Sequence, residues 1–154
     1  NIKAKRTAWN SHQIYPILNS IAENIKEHIN AFIKSEDYDV PNIITKECWL
    51  NWYGKNQNAL PHMHGNMVSA VLFVDTEKSN GQFLVHSNRN FVLHKKKDTS
   101  TNYSNIRQVT PKDGTVIFFD GSLMHSVTPN LSDNQRITLA VNFMIDKSEE
   151  RHEY

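Results

Sequence analysis

Cysteine is nearly absent: Cys48 is the only one in 154 residues. No internal disulfide can form, so the fold must rest on its apolar core, and a reducing, cytoplasmic setting is the expectation. An excess of charge of one sign is missing too. Lys and Arg number 17 against 16 Asp and Glu, for a formal net charge of +1. Nucleic acid is therefore disfavoured as a partner, because neutralising phosphates usually leaves a basic surplus. No apolar run reaches bilayer-spanning length, so no membrane partner is expected. The opening NIKAKRTAWN has basic residues but no apolar segment after them, and does not read as a signal peptide. Internal repeats and low-complexity linkers are also lacking. The composition, 38% hydrophobic and 21% charged, is that of an ordinary folded domain, and the whole chain, 1–154, suits one. What the chain has in quantity is histidine, with eight.

The chain divides into a helical front, about 11–35, and a β-rich core, about 43–146. Ile14, Ile17, Leu18, Ile21, Ile25, Ile29, Phe32 and Ile33 recur at three- and four-residue spacing. That spacing predicts one amphipathic helix from about Tyr15 to Ile33. Ser11 is the expected cap, Pro16 is tolerated in the first turn, and SEDYDVPN ends the helix. Beyond it, NIITKECWLNWY, MVSAVLFVD, GQFLVHS, LMHSVTPN and QRITLAVNFMI read as strands. IRQVTPKDGTVIFFD reads as two strands around a Pro-Lys-Asp-Gly turn. Short strands at close spacing predict a mainly β sandwich or barrel, with the helix packed on an outer face.

The stretch NALPHMHGNMVSAVLFV sets His62 and His64 one residue apart. In a strand, residues i and i+2 face one side, so both imidazoles could meet one ion. Against this stands a plainer reading, two polar histidines in a loop after Pro61. His125, in FFDGSLMHSVTPN, tips the balance if the sheet folds back to bring it opposite the pair. Three ligands on one side of an ion leave open positions, as a catalytic metal needs. Arg136, in QRITLAVNF, would point into the same cavity if its strand runs back beside that of His125, with Thr138 facing the same way. A buried Arg beside a hydroxyl is a carboxylate receptor, because the guanidinium forks onto both oxygens. Its plainer alternative is a surface pair with Asp133.

Two segments, WLNWYGKNQNALPHMHGNMVSAVLFV and PKDGTVIFFDGSLMHSVTPNLSDNQRITLAVNF, carry a family resemblance over about Trp49 to Phe143. The chain resembles the Fe(II)/2-oxoglutarate-dependent oxygenases, and most of all the prolyl-hydroxylase-like members found in phages and marine bacteria. The resemblance implies a double-stranded β-helix (jelly roll, cupin-like). It also implies a dioxygenase using Fe(II), 2-oxoglutarate and O2 to hydroxylate a peptide residue or small metabolite, releasing succinate and carbon dioxide. His62 matches the first metal-binding histidine of the family and His125 the distal one. Arg136 matches the residue that pairs with the far carboxylate of 2-oxoglutarate. Thr138 stands for the hydroxyl residue often found two positions later, and Tyr53 for a Tyr that touches that carboxylate. The family's second ligand is an acid two residues after the first, and here that place is held by His64. Three readings stay open: a three-histidine site, His64 as first ligand with Asn66 as a weak second, or an open position for halide or water. The first is favoured.

Two other functions compete. One is a cupin-like metalloenzyme without a keto-acid co-substrate, although no glutamate follows the His pair in GNMVSAV. The other is a non-catalytic β-sandwich that binds a ligand or partner. His86 reads first as a satisfied structural histidine, and the run LHKKKD as a solvated loop that could also steer an acidic substrate. His12, His28 and His152 read as surface residues. A homo-oligomer stays open, because the sequence carries no signal for oligomeric state.

Overall fold

A computed structural model describes residues 2–37, 42–65, 67–86 and 106–146. The chain starts with two short strands, β1 (Ile2–Lys3) and β2 (Lys5–Arg6), then two helices, α1 (Ser11–Ile14) and α2 (Pro16–Ser35). Eight strands follow: β3 (Ile43–Tyr53), β4 (Asn58–His62), β5 (Val68–Asp75), β6 (Phe83–His86), β7 (Ile106–Val109), β8 (Val116–Asp120), β9 (His125–Val127) and β10 (Arg136–Ile145). They form two antiparallel sheets, ordered β2-β3-β10-β5-β8 and β1-β4-β9-β6-β7. From β3 onward every connection except β6 to β7 crosses between the sheets, which is the winding of a double-stranded β-helix. The expected mainly β jelly roll with an outer helix is therefore what the chain adopts.

Helix α2 begins at Pro16, whose missing N–H costs nothing in a first turn. It presents Leu18, Ala22, Ile25 and Ile29 to the outer face of the β2-β3-β10-β5-β8 sheet, where they pack with Ile43, Cys48, Ala70, Leu139, Val141 and Phe143. Three residues of the sequence stripe stay outside this contact: Ile14, Ile17 and Phe32 are exposed. Ser11 does not cap α2. It sits in α1 and donates its hydroxyl to the Ala8 carbonyl at 2.6 Å, while Tyr15 occupies the cap position without a side-chain bond. His12 is buried rather than on the surface.

The inner faces of the two sheets meet around Tyr53, Ala59, Phe73, Phe83 and Val127. Strand β10 is covered on both sides. Leu139, Val141 and Phe143 face the helix, while Arg136, Thr138, Ala140 and Asn142 face the space between the sheets. Two irregularities aim the neighbouring strands. In β3 the partner of Asn142 is Glu47 and that of Phe143 is Thr45, so Lys46 is an extra residue. In β4 Ala59 pairs with Val127 and His62 with His125, again with one residue too many, at the stretch holding Pro61. A bulge reverses which face the following side chains take, and Pro, lacking an N–H, is tolerated there.

IRQVTPKDGTVIFFD holds the two expected strands around its Pro-Lys-Asp-Gly turn, and they enter different sheets: β7 pairs with β6 and β8 with β5. One expectation about the strands is corrected. Arg136 does not lie beside the His125 strand, because β9 and β10 belong to facing sheets. Among the described residues, no helix is long and apolar enough to cross a membrane.

Candidate active site between the sheets

His62, His64 and His125 converge at one end of the inter-sheet cavity. One ring nitrogen from each lies within 4.8 Å of the others. The ring centroids are 4.3 Å apart for His62 and His125, and 5.1 Å for each pair that includes His64. His62 ends β4 and His125 opens β9, directly paired across the ladder. The alternation argument from sequence holds for neither member of the His pair. The bulge turns His62 inward, and His64 lies beyond the strand, where its N–H donates to the Gly121 carbonyl at 2.7 Å. That crossing is close: a Cβ on Gly121 would lie 2.6 Å from the Met67 carbonyl oxygen and 2.9 Å from that of Gly65. Asn66, the weak alternative ligand, lies outside the described residues, as does LHKKKD.

Two of the three rings are oriented by backbone. His62 Nδ1 can donate to the Leu60 carbonyl at 2.7 Å and His125 Nδ1 to that of Leu123 at 2.9 Å. Each Nε2 lone pair is then left for a metal, an arrangement typical of ligating histidines. Phe83 and Phe119 pack their rings on His125 at 5.5 and 4.8 Å. Burial, aided by His62, His64 and His86 and opposed by the Leu123 carbonyl, holds the His125 imidazole down at about 4. His64 is also lowered, by burial and by His62, against the pull of Glu47. Both rings are thus neutral at pH 7, the form in which imidazole binds metal.

Arg136 enters the same cavity from the facing sheet. It is wholly buried, and Nε, Nη1 and Nη2 have no hydrogen-bond partner among the described residues. The plainer surface pair is ruled out, because Asp133 takes Lys55 at 2.8 Å instead. Burial lowers the Arg136 guanidinium to about 10, with Tyr53 acting the other way, so it remains a cation at pH 7. Tyr53 pairs with it across the ladder, its phenol pushed up to about 12 by burial. Thr138 faces the same space, and its hydroxyl meets Asn51 Nδ2 at 3.5 Å. Gly81 closes over the guanidinium: a Cβ there would come 3.0 Å from Nη1 and 3.3 Å from the Thr128 carbonyl oxygen.

Trp49, Asn51, Ala59, Ser69, Ala70, Val71, Val127, Ala140 and Asn142 complete the lining, which holds no carboxylate among the described residues. The donor set suits a divalent metal that accepts neutral nitrogen ligands, and the unpartnered guanidinium suits an anion bound nearby. His86 stays out of the cavity, its Nε2 bonded to Ser126 Oγ at 2.8 Å. Sequence reasoning missed Glu47, Asn51, Gly121 and Asn142. Asn142 shares the strand parity of Arg136 and Thr138, a signal that could have found it. Asn51 likewise shares the parity of Tyr53, whereas Glu47 depends on a bulge and Gly121 on a loop crossing.

Solved structures share this fold. A collagen prolyl hydroxylase of Paramecium bursaria chlorella virus 1, in complex with 2-oxoglutarate, superposes with a TM-score of 0.61 at 15% identity, over 94% of this chain and 81% of that one. A prolyl-4-hydroxylase of Pseudomonas putida gives 0.60 at 16% identity, over 93% and 71%. A 2OG-Fe(II) oxygenase-family oxidoreductase of Burkholderia pseudomallei gives 0.53 at 18% identity, over 68% of this chain, which spans only 46% of that longer one. At such identities the likeness speaks for the fold alone. No curated protein matches the chain. The family described as "Putative 2OG-Fe(II) oxygenase" matches residues 47–142, a span that holds every candidate residue above, and the chain belongs to that family of Fe(II)-, 2-oxoglutarate- and O2-using oxygenases.

Proposed function

We propose that the chain is a single-domain dioxygenase that hydroxylates a C–H bond of a peptide residue or small metabolite, and that His62, His64 and His125 hold its iron. The observation that carries this reading is the pairing, in one cavity, of three imidazoles with a buried guanidinium that has no hydrogen-bond partner among the described residues. With O2, bound iron and 2-oxoglutarate supply the oxidising chemistry, in which the keto acid leaves as succinate and carbon dioxide and the substrate gains a hydroxyl.

The chain's own residues do the rest. The three imidazoles keep one side of the ion and leave its other side open for ligands. Arg136 would receive the far carboxylate of the keto acid, and that anion would relieve the cost of a buried cation. Tyr53, still a neutral phenol at pH 7, can donate to the same carboxylate, and Thr138 lies beside it. Phe83, Phe119, Val127 and Ala59 line the apolar side and keep water from the reacting centre. The three-histidine donor set carries no negative charge, so a dianionic co-substrate meets no repulsion from its ligands.

The test is calorimetry with Ni(II) in place of iron. One equivalent of 2-oxoglutarate should bind the metal-loaded protein, and Arg136→Leu should weaken that binding at least about tenfold, the loss of one charge-assisted contact, with metal affinity retained. Metal binding without any 2-oxoglutarate binding would overturn the keto-acid reading and favour the cupin-like enzyme.

A further inference from the structure

Indole gives up an electron more readily than a benzene or imidazole ring, and the cavity wall holds one indole, Trp49. It is buried, its ring centroid is 6.0 Å from that of His64, and its Nε1–H donates to Asn51 Oδ1 at 3.0 Å. A second indole lies against it. The Trp9 ring is 4.4 Å away between centroids and 40% exposed. Two rings in contact thus join the cavity to solvent. The segment carrying Trp9 is stapled to β3 beside Trp49. Cys48 N–H donates to the Trp9 carbonyl at 2.7 Å, Thr7 N–H to the Leu50 carbonyl at 3.1 Å, and Leu50 N–H to the Thr7 hydroxyl at 3.0 Å. At the outer end the Arg6 guanidinium covers Trp9, 4.0 Å from its ring centroid. That cation opposes a lasting positive charge on the ring and attracts anions to it.

The other oxidisable groups nearby offer no such path. Tyr53 is buried beside the Arg136 cation, and a phenol must shed its proton when it is oxidised. Cys48 is buried and packs toward helix α2, with its thiol pushed up to about 12 by burial. Phe83 and Phe119 line the cavity but are far harder to oxidise.

A site that consumes O2 and a keto acid but meets no substrate is left with two oxidising equivalents, and excluding water does not remove them. We propose that Trp49 and Trp9 form an electron relay that carries those equivalents out of the cavity to an external one-electron reductant. The inference rests on the reading of this cavity as the iron- and 2-oxoglutarate-holding site. In such a turnover 2-oxoglutarate and O2 give succinate, carbon dioxide and one surplus oxygen atom. Two electrons, passed one at a time, and two protons from solvent turn that atom into water and leave the iron ferrous. Each electron leaves the Trp49 indole, which is refilled from Trp9, and Trp9 is refilled by the reductant. With ascorbate, one molecule supplies both electrons and becomes dehydroascorbate. Trp49 keeps its Nε1 proton, because the Asn51 amide oxygen cannot take it up, so electrons alone pass along the relay.

The experiment loads the protein with Fe(II) and 2-oxoglutarate and admits O2 without any substrate. Succinate is followed, and peptide mass mapping locates the oxygen added to each aromatic ring, with and without ascorbate, at equal succinate formed. Thermal unfolding checks that each variant is folded. In the wild type without ascorbate, oxidation should collect on Trp9, the exposed end. Ascorbate should lower it several-fold and leave Trp49 unmodified. Trp9→Phe should lose that protection and move oxidation several-fold toward Trp49. Trp9→Tyr, which differs from Trp9→Phe by one hydroxyl but is oxidisable, should keep it. A ring that merely covers Trp49 would not separate the two variants. Equal Trp49 oxidation in the wild type and Trp9→Phe with ascorbate would overturn the relay. So would Trp9→Tyr no better protected than Trp9→Phe, or oxidation that falls on Tyr53 or Phe119 and spares both indoles. An iron-loaded wild type that forms no succinate would overturn the oxygenase reading, and the relay with it.

Discussion

Arg136 shows what a single residue reveals that no pattern can. A buried guanidinium with all three nitrogens unpartnered is a receptor waiting for an anion, since the alternative is an uncompensated buried charge. Its neighbourhood is shaped to the ångström. Gly81→Ala would place a Cβ 3.0 Å from Nη1, with the Thr128 carbonyl fixed on the other side, so the guanidinium must give way. The expected outcome is a several-fold weaker affinity for 2-oxoglutarate with unchanged metal affinity, read by calorimetry; unchanged affinity for both would show that the guanidinium has room to spare. Arg136, His62, His64 and His125 stood out in the sequence as candidates because their types are rare in a β-core; the family motif covers His62, His125 and Arg136, while His64 stands where it has an acid. Alternation does not set the His pair, since a bulge turns His62 inward. Glu47 was illegible, because an acid in a strand reads as an ordinary surface polar until the bulge at Lys46 is known.

At the scale of elements, β3, β5, β6, β8, β9 and β10 were readable from their apolar and β-branched runs, and α2 from its period. The short strands β1 and β2 hold two residues each and carry no period at all. Strand β4 was hidden by Pro61, which argues against a strand unless a bulge accommodates it. The turn between β7 and β8 was readable too, but turn chemistry tells only that the chain reverses, not which sheet it enters. Helix α2 is support for the site, not part of it: it covers the outer face of the strands whose inner faces carry Arg136 and Asn142. Ile29→Ala should therefore cost about 2–5 kcal/mol of stability, read as a lower denaturant midpoint, while metal and 2-oxoglutarate affinities stay at the wild-type level. A loss of 2-oxoglutarate affinity in the folded variant would contradict that division.

For the molecule as a whole, the site exists only where two sheets face each other, with His62 and His125 from one and Arg136, Tyr53 and Thr138 from the other. Its burial makes stability depend on pH. The His125 imidazole sits at about 4 in the fold against its ordinary 6.5, and His64 is shifted in the same direction. Between those values the unfolded chain binds more protons, so this contribution is complete above about pH 6.5 and is lost as pH falls toward 4. The melting temperature of the apoprotein should hold between pH 8 and 7 and decline steadily below about 6.5; the same melting temperature at pH 5 as at pH 7 would contradict the burial of neutral imidazoles. Whether three histidines hold iron for a chelated keto acid is decided by adding Fe(II) and then 2-oxoglutarate to the apoprotein without oxygen. The expected result is the weak visible charge-transfer band of the chelated keto acid in the wild type and its loss in His64→Ala. A band that persists undiminished in His64→Ala would show that His64 is not a ligand, and no band in an iron-loaded wild type would contradict the oxygenase site itself.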